Sequence, residues 1–536
     1  MATATTDVLG PTEVKEERRV IFASSLGTVF EWYDFYLYAT LAPFFAALFF
    51  PPGNATAALL SSFVAYAAGF LVRPFGALVF GRIGDLVGRK YTFLVTIVVM
   101  GSSTAAVGLL PTYAKIGFAA PILLVALRLL QGLALGGEYG GAATYVAEHS
   151  AHGKRGYNTS WIQTTATLGL LLALIIIGVC RVKMSVDAFK EWGWRIPFLL
   201  SVILLAFSVY IRLKLQESPI FRAMKEQGKG SKAPLTDSFA RWPNLKIVLL
   251  ALFGATAGQG VVWYTGQFYA LFFLTLYLKM DYLTTYKLIG LSLIIGTPFF
   301  IFFGWLSDRI GRKWIIMAGC LIAALTYFPL FRALTHSVNP ALEQYAKNTP
   351  ISVAASDCSM HIFPTPKTRY SDCDKAMDFL TKAGLSFQKL PAVSGESVVT
   401  KIGDTELKGW NEDQYKAALK AGGYPATIDK AAINFPLTLL ILVIMVIYVT
   451  MVYGPIAAFL VELFPTRIRY TSMSLPYHIG NGWFGGMLPL LATAMVASKG
   501  NIYAGLWYPI IVAIMSFVIG SLFLRETKDR DIRHDF

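Results

Sequence analysis

Charged residues are scarce in this sequence. Asp, Glu, Lys and Arg make up 15% of its 536 residues, whereas soluble domains carry about 25%, so a soluble globular protein is disfavoured. Apolar blocks of roughly 20 residues take their place, long enough to cross a hydrocarbon core about 30 Å thick, and the mean hydropathy is +0.54. The sequence therefore predicts an all-α polytopic membrane protein.

The chain also lacks the residue patterns of an enzyme. It contains no metal-ligand cluster, nucleophile constellation or phosphate-binding loop, so we expect no enzymatic activity, metal or cofactor. The net charge of +15 lies mostly in short loops beside apolar blocks, where Lys and Arg set topology, and does not indicate nucleic acid. Residues 1–19 have no apolar core, so we expect no cleaved signal peptide.

Only four cysteines are present, too few for a disulfide scaffold. Cys358 and Cys373 lie in a polar segment, 335–432, and can form a disulfide if that segment faces an oxidising compartment. Such a bridge closes a loop of about 15 residues and contributes about 3 kcal/mol of stability in the chain-entropy model. Two free thiols are the alternative. Cys180 and Cys320 are expected to be packing residues.

The apolar blocks predict twelve membrane spans. Short basic loops all fall on one side of this count, and cytoplasmic loops carry an excess of Lys and Arg. That side and both termini are therefore predicted to be cytoplasmic. The spans are placed at roughly 20–49, 57–80, 91–110, 119–148, 157–180, 195–214, 246–278, 285–304, 314–334, 433–463, 471–497 and 503–524.

A charged, glycine-punctuated turn occurs twice, from Gly81 to Lys90 and from Gly304 to Lys313, at an offset of 223 residues. A repeat on this scale in a membrane protein indicates two homologous halves. We expect two pseudo-symmetric six-helix bundles joined by a cytoplasmic linker. Their predicted ranges are 1–214 for the first bundle, 215–245 for the linker and 246–536 for the second bundle.

A second repeat shows where the halves differ. Glu148 with Arg155 resembles Glu462 with Arg469, but this offset is 314 residues, so the second half contains about 91 extra residues. The segment 335–432, on the outer side of the span count, is the only one that can hold them. Helical spacing in parts of this segment predicts a small folded cap rather than a loop.

Polar residues inside the spans are candidates for function because a bilayer makes them costly. In the first span Glu31, Asp34 and Tyr38 are spaced to share one helix face. A buried carboxyl can take up a proton on one side and release it on the other, so Asp34 and Glu31 are predicted to couple transport to protons. A static ion pair that holds helices together is the alternative. Tyr38 is a predicted substrate contact.

The fourth span carries Arg128, Gln131 and Glu138 on one face. The depth of Arg128 allows a pair with Asp34, and an intramembrane Arg also suits a carboxylate substrate, which it can bind by two parallel hydrogen bonds. Arg73 in the second span is a second such cation. Both arginines and Gln131 are predicted to bind substrate and Glu138 to couple protons, with structural pairing as the alternative.

The second half places aromatic and amide side chains in its spans, a combination that suits a small polar ligand. Interfacial aromatic belts are the alternative for some of them. His478 could relay a proton, although a lone His in a packed helix is more often structural. The predicted substrate contacts are Gln259, Trp263, Tyr264, Gln267, Tyr453 and Asn481.

Charged residues at the basic side of the spans form two matching sets. Such pairs contribute little when solvated, but a network that breaks as two halves rock would act as a gate. The predicted gating residues are Asp85, Arg89, Glu148, Arg155, Asp308, Arg312, Glu462 and Arg469.

The repeated Gly-x-x-x-Asp-x-x-Gly-Arg-Lys turn resembles the signature of the major facilitator superfamily. Within it, residues 27–38, 128–142 and 216–221 resemble the metabolite–proton symporter family. This resemblance covers nearly all twelve spans. It implies proton-coupled uptake of di- and tricarboxylates, shikimate-like acids, or proline and betaine across a bacterial inner membrane. The chain departs from the family in its insertion and in its short tail, which lacks the heptads found in osmosensing betaine carriers.

We therefore predict a proton-coupled importer of a small organic acid, such as a dicarboxylate, that works by alternating access in the inner (plasma) membrane. Its expected partners are a small-molecule substrate, a proton and the lipid bilayer. One alternative is a proline or betaine carrier, in which Trp263 and the tyrosines hold a quaternary ammonium by cation–π contact. Another is a membrane receptor whose cap binds ligand without transport. The arginine pair suits both acids and zwitterions.

Overall fold

The structure is a computed structural model of the chain. It describes residues 11–52, 54–87, 89–137, 139–213, 224–228, 231–361, 367–392 and 397–532, without the side chains of residues 11–24, 89, 90, 93 and 212. Two predicted site residues therefore lie outside the described residues, Glu138 entirely and Arg89 by its side chain.

Long helices make up most of the first half of the chain, residues 11–213, and keep the numbers of the predicted spans. Shorter helices at Tyr113–Ile116 and Val186–Ala188 and a π-helical turn at Phe189–Gly193 lie between them. The spans are 1, Pro11–Phe49; 2, Ala55–Leu71 and Arg73–Leu86; 3, Arg89–Leu109; 4, Ala119–Gly136 and Tyr139–His149; 5, Arg155–Lys183; and 6, Arg195–Leu213.

The second half, residues 231–532, begins with a short helix, Pro234–Phe239. Short 3-10 turns lie at Lys430–Ala432, Thr466–Ile468 and Ala504–Leu506. Span 7 includes π-helical stretches at Leu252–Thr256, Thr265–Tyr269 and Phe273–Tyr277. The spans are 7, Trp242–Tyr277; 8, Tyr282–Gly296 and Pro298–Ile310; 9, Lys313–Val338; 10, Phe435–Tyr453 and Ile456–Leu463; 11, Arg469–His478, the π-helical Ile479–Gly486 and Leu488–Lys499; and 12, Trp507–Phe523.

Nine of the described helices are long and apolar enough to cross a membrane, and the bent pair Val186–Gly193 and Arg195–Ile211 makes ten if it counts as one span. The other two predicted spans correspond to Pro11–Phe49, which carries two buried carboxylates, and to the shorter apolar helix Leu94–Leu109. The predicted all-α polytopic bundle is therefore confirmed for the membrane part of the chain.

Spans 2 and 4 pack backbone against backbone. A Cβ on Gly132 would lie 1.8 Å from the carbonyl oxygen of Gly69, and one on Gly136 would lie 2.2 Å from that of Arg73. Only glycine permits such an approach, which is common between membrane helices. This close packing brings Arg73 of span 2 and Arg128 of span 4 into the same region.

The cap, residues 335–432, combines helices with a sheet. Its helices are Pro340–Asn348, Asp372–Lys382 and Glu412–Ala421, and the last two coincide with the predicted helical segments. Its strands are β1, Ile351–Ala354; β2, Gln388–Leu390; β3, Val399–Ile402; and β4, Thr405–Lys408. They form a sheet of order β2-β1-β3-β4, in which β1 and β2 are parallel and the other pairs antiparallel.

The predicted fold class describes the membrane part of the chain, and the cap adds a four-stranded sheet to its predicted helices. Its strands have three or four residues each, too short for the period-2 pattern by which a strand is recognised. The predicted disulfide is confirmed: Cys358 and Cys373 are bonded, with Cα atoms 5.1 Å apart. Cys180 and Cys320 are buried thiols, as expected.

The cap is attached to both halves of the bundle. On the second half, Phe387 N donates to Gly500 O at 2.7 Å and Asn339 Nδ2 donates to Leu278 O at 3.1 Å. On the first half, Thr56 N at the start of span 2 donates to Asp378 Oδ1 of the cap at 2.7 Å. The cap thus crosses between the halves at one end of the bundle, called the cap end below.

Candidate functional site

Two buried arginines lie together in the first half. Arg73 begins the second segment of span 2, after a break at Val72, and Arg128 lies in span 4; they are 1% and 0% exposed. Their guanidinium carbons lie 4.2 and 4.6 Å from the ring centroid of the same residue, Phe35 of span 1. The structure therefore brings together the two cations that the sequence predicts as substrate contacts.

Polar and aromatic neighbours orient Arg128. Its guanidinium carbon lies 4.7 Å from the ring centroid of Tyr38, whose hydroxyl donates to the carbonyl of Ser62 at 3.0 Å. Arg128 Nη1 donates to Gln131 Oε1 at 2.6 Å, and Gln131 Nε2 donates to Thr104 Oγ1 at 2.8 Å. Tyr38 and Gln131, both predicted substrate contacts, thus hold the arginine in place.

The remaining guanidinium nitrogens are unpaired. Among the described residues, Nε and Nη2 of both Arg73 and Arg128 have no hydrogen-bond partner. A buried unpaired donor costs about 1–3 kcal/mol, and more when it is charged. Cation–π contacts with Phe35 and Phe70 offset about 0.5–2 kcal/mol of this cost. A bound anion would satisfy these nitrogens by charge-assisted hydrogen bonds.

The two carboxylates of span 1 face different neighbours. Glu31 is 2% exposed and lines a small cavity with Arg73. Asp34, 4% exposed, lies next to Ser201 of span 6. No ion pair between Asp34 and Arg128 occurs among the described residues, although the depths of the two residues allow one. Three residues leave Asp34 about 60° around the helix from Glu31, enough to turn it toward span 6.

The predicted amides of the second half pair with each other. Gln259 Nε2 donates to Asn481 Oδ1 at 3.0 Å, and Asn481 Nδ2 donates to Gln259 Oε1 at 2.7 Å. This mutual pair joins spans 7 and 11. Gln267 Nε2 instead donates across the halves to Thr167 Oγ1 of span 5 at 3.4 Å.

The predicted aromatic contacts of the second half pack against the first. Trp263 stacks on Tyr36 of span 1, with ring centroids 5.4 Å apart and planes at 21°. Tyr264 meets Phe70 of span 2 edge-on at 5.5 Å. The hydroxyl of Tyr453 lies 2.7 Å from that of Tyr477. Trp263 and Tyr264 therefore form the wall between the halves beside the arginines, whereas the contact of Tyr453 lies within the second half.

A cavity of about 10 Å³ lies at this wall, room for about one water. The first half contributes Arg73 and Glu31, and the second half contributes Tyr477 and His478. The cavity therefore straddles the surface at which the halves meet. Its remaining lining residues are Thr28, Trp32, Leu135, Tyr139 and Ala142.

Several aromatic residues of this region were not predicted. Phe35, Tyr66 and Phe70 surround the arginines; the Tyr66 ring centroid lies 5.4 Å from the guanidinium carbon of Arg128. Tyr66, Phe70 and Arg73 stand at i, i+4 and i+7, which places them on one helix face. That spacing is a signal the sequence contains, and it would have extended the predicted site from Arg73 along span 2.

Ion pairs join the halves at the end of the bundle that carries the two Gly-Arg-Lys turns, called the basic end below. Arg155 pairs with Glu462 at 3.5 Å, and Arg469 pairs with Glu148 at 3.1 Å. These side chains are at most 1% exposed, so water screens them little. The two repeated Glu and Arg pairs therefore exchange partners: the Glu of each half is bonded to the Arg of the other half.

Arg312 and the two repeated aspartates complete this network. Arg312 Nη2 lies 2.8 Å from Asp308 Oδ1 and 3.0 Å from Glu462 Oε1. Asp308 also accepts the backbone N–H of Gly156 at the start of span 5, at 2.8 Å. In the same way, Asp85 Oδ2 accepts Thr471 N of span 11 at 3.2 Å. Each aspartate thus places a negative charge at the N-terminus of a helix in the opposite half. The helix dipole stabilises a negative charge at that position.

The chain after span 12 returns to the same network. Glu526 Oε1 accepts Arg312 N at 2.8 Å, and the carbonyl of Arg530 accepts Arg155 Nη1 at 2.7 Å. Ile532 is 1% exposed. The sequence did not predict this contact, because it depends on main-chain carbonyls that no residue pattern reveals.

Comparison with known proteins identifies the family. Residues 20–253 match the family described as sugar (and other) transporter. The shikimate transporter of Escherichia coli (strain K12) is 35% identical over 333 residues, which are 61% of this chain and 74% of that protein. The chain belongs to the metabolite–proton symporter family of the major facilitator superfamily. It is a multi-pass membrane transporter and not an enzyme, as predicted.

Two further comparisons cover more of the chain at lower identity. A putative proline/betaine transporter of Staphylococcus haemolyticus (strain JCSC1435) is 28% identical over 523 residues, 97% of this chain and 90% of that protein. The proton:xylose symporter XylE bound to 6-bromo-6-deoxy-D-glucose aligns with a TM-score of 0.63 at 14% identity, covering 97% of this chain and 98% of XylE. At that identity the likeness shows the superfamily fold.

Proposed function

We propose that this transporter imports a small organic acid together with a proton, by alternating access between its two halves. The observation that carries the proposal is the arginine pair. Arg73 and Arg128 are buried beside one another, and each keeps two guanidinium nitrogens without a partner among the described residues. A carboxylate is the small-molecule group that a guanidinium binds by two parallel, charge-assisted hydrogen bonds.

Glu31 is the main proton carrier in this proposal, because it lines the same cavity as Arg73. Ionised Glu31 attracts Arg73, whereas a proton on Glu31 removes that attraction and leaves the cation to the substrate carboxylate. Proton and acid would then bind together. Asp34, buried beside Ser201, is a second candidate carrier. Glu138, a third, lies outside the described residues.

Alternating access requires the halves to close at one end while they open at the other. The buried ion pairs Arg155–Glu462 and Arg469–Glu148 would break when the basic end opens, and we propose them as the gate. The excess of Lys and Arg in the loops at that end supports a cytoplasmic position for it and for both termini. In the inner membrane of a bacterium, opening at the cap end would then admit substrate from outside.

A zwitterion carrier is the second candidate. The shikimate transporter named above carries an acid by its name, and the longer match is named as a putative proline/betaine transporter. A betaine would place its carboxylate on the arginines and its quaternary ammonium on an aromatic face, and Trp263 stacked on Tyr36 offers such a face. Zwitterions and acids share the arginine contact, so competition experiments must separate them.

The test is proton movement in proteoliposomes that hold a pH-sensitive dye. Dicarboxylates, hydroxylated and aromatic acids, proline and betaine are added outside, one at a time. Acidification of the lumen with an acid is the expected result. Acidification with betaine or proline alone would favour the second candidate. Entry of labelled substrate without any proton signal would indicate a uniporter or exchanger and remove the role of Glu31.

Two arginine variants make this test specific. Arg128→Ala should abolish accumulation of the acid, since it removes half of the cationic site. Arg195→Ala is the matched control: its guanidinium carbon also lies on an aromatic ring, 4.4 Å from the ring centroid of Trp194 in the same half, but it does not line the cavity with Arg73. Normal uptake by the Arg128 variant would overturn the assignment of the site.

A further inference from the structure

His478 is a buried imidazole that lacks a hydrogen-bond partner in the described part of the chain. It ends the first segment of span 11 and is 1% exposed. Neither Nδ1 nor Nε2 forms a hydrogen bond with any described residue. A neutral imidazole has one donor and one acceptor, and each buried polar atom left unpaired costs about 1–3 kcal/mol. Tight packing alone would favour an apolar residue at this position.

His478 lines the cavity beside Arg73. Both His478 and Arg73 line it, together with Glu31. Arg73 and Glu31 belong to the first half, and His478 belongs to the second. A ligand held by Arg73 would therefore meet His478 across the surface at which the halves come together. The cavity has room for about one water, so the ligand enters when the halves separate.

The segment that follows His478 allows the two halves to approach closely. The π-helical stretch Ile479–Gly486 follows it directly, and such stretches often mark functional sites. A Cβ on Gly486 would lie 2.3 Å from the ring of Phe70 in span 2, and one on Gly482 would lie 3.1 Å from the carbonyl of Phe70. These glycines let span 11 reach the arginine-bearing helix, which brings His478 to the site.

We propose that His478 binds a hydroxyl group of the substrate, and that the transported acid is a hydroxy acid. This inference rests on the proposed function: Arg73 and Arg128 hold the carboxylate, and His478 holds the hydroxyl from the opposite half. A hydroxyl can donate to one nitrogen of an imidazole or accept from the other.

Contact with both halves gives this hydroxyl a role in transport. Only a ligand that touches both sides favours the closed arrangement over the open one, because a ligand shifts a conformational equilibrium by its differential affinity for the two states. An acid held by the arginines alone would bind the first half without drawing in span 11. His478 is therefore a specificity-determining residue.

The experiment compares matched acids in proteoliposomes of the full-length transporter. Quinate is paired with cyclohexanecarboxylate, lactate with propionate, and malate with succinate. For the wild type we expect a KM about tenfold lower for the hydroxy acid in the preferred pair, the effect of one hydrogen bond. Equal KM values within every pair would overturn the proposal while leaving acid transport, and so the proposed function, intact. Uptake of no acid at all would overturn both.

Two variants of His478 distinguish a role in substrate recognition from a structural role. His478→Phe keeps a ring of similar size and removes both hydrogen-bonding atoms, whereas His478→Gln keeps a donor and an acceptor. The Phe variant should raise the KM of the hydroxy acid about tenfold and leave that of the deoxy acid within twofold, and the Gln variant should recover part of the loss. An equal change in KM for both acids would indicate a structural role for His478 and contradict the proposal. If neither variant folds, the wild-type comparison of matched acids still decides it.

Discussion

The two ends of the bundle are closed by different interactions. At the basic end the halves meet through buried ion pairs, such as Arg469–Glu148 at 3.1 Å. At the cap end they meet through rings, with Phe63 and Phe272 at 4.9 Å and Arg181 4.7 Å from the ring centroid of Tyr282. Among the described residues, ion pairs between the halves occur at the basic end only.

This difference indicates how each end should open. A buried ion pair depends on the presence of both partners, and loss of one leaves an uncompensated charge. Aromatic packing is divided among many weak contacts, each worth about 0.5–1.5 kcal/mol beyond its buried area. We therefore infer that the basic end opens in one step when its ion pairs break, whereas the aromatic contacts at the cap end separate in smaller steps. The specific contact at the cap end is the one made by the cap.

The largest effect is expected from Glu462→Gln. Glu462 binds Arg312 at 3.0 Å and Arg155 at 3.5 Å. The change therefore removes a negatively charged partner from two buried guanidinium groups, at a cost of about 3–5 kcal/mol. The basic end should open and transport should fall at least tenfold. A cysteine at Ser474, which is buried against Gly140 of the other half, should then react faster with a thiol reagent.

The labelling is done in a background without Cys180 and Cys320. Glu412→Gln provides the control, because its ion pair with Lys416 lies on the exposed surface of the cap and should not affect labelling. An unchanged labelling rate at Ser474→Cys in the Glu462 variant would contradict the idea that charge holds the basic end closed.

The next effect concerns the cap end. Thr56 N donates to Asp378 Oδ1 at 2.7 Å, next to a cavity of about 160 Å³ between span 2 and the cap. Cysteines at these two positions, joined by a short thiol cross-linker, should hold the cap on the first half and stop transport. Uptake measured before and after cross-linking gives the result.

Each single-cysteine variant, treated with the same reagent, serves as the control for that cross-link. If the doubly substituted protein still transports normally when fully cross-linked, the contact between Thr56 and Asp378 stays closed during transport and the cap end must open elsewhere.

A smaller effect is expected from loss of the disulfide. Replacing Cys358 and Cys373 by Ser frees a loop of 15 residues, which should lower the stability of the cap by about 3 kcal/mol in the chain-entropy model. Limited proteolysis should cut the cap at lower temperature than in the wild type. Transport should persist, because the arginine site lies in the spans; complete loss of uptake would show that the cap takes part in transport directly.

The smallest effect is a pH dependence in the cap. Burial raises the pKa of Glu343, but hydrogen bonds from Lys347 and His336 outweigh it, so the net pKa lies below its ordinary value of 4.5. A lowered carboxyl pKa adds stability above the unfolded pKa and loses it as the pH falls through the folded pKa. Glu343→Gln should therefore cost under about 1 kcal/mol at neutral pH and nothing at strongly acid pH. Melting temperatures measured at both pH values check this, and a constant difference would argue against the ionised pair.

Much of the architecture could be predicted from local sequence. Apolar blocks predict the spans because a bilayer demands helices of a given length, and the repeated turns indicate two halves. The pair Cys358 and Cys373 could be recognised from its position in a polar insertion. The arginines could be recognised because a cation inside a span is rare enough to suggest function.

Partners that depend on the packing of separate helices could not be predicted. Asp34 faces Ser201 and not Arg128, since a difference of about 60° around a helix decides which neighbour a side chain meets. The repeated pairs Glu148 with Arg155 and Glu462 with Arg469 exchange partners between the halves, and the spacing within each repeat does not distinguish this pairing from one within a half.

The sequence by itself determined which residues are polar inside the membrane, where the helices lie and where the chain repeats, because these properties follow from hydropathy and spacing along one chain. Only the tertiary structure decided which of those polar residues meet. It placed Arg73, Glu31 and His478 around one cavity, although they stand on three helices far apart in sequence. Side-chain contacts across helices depend on rotation and depth in the bundle, and no pattern within a single helix records them.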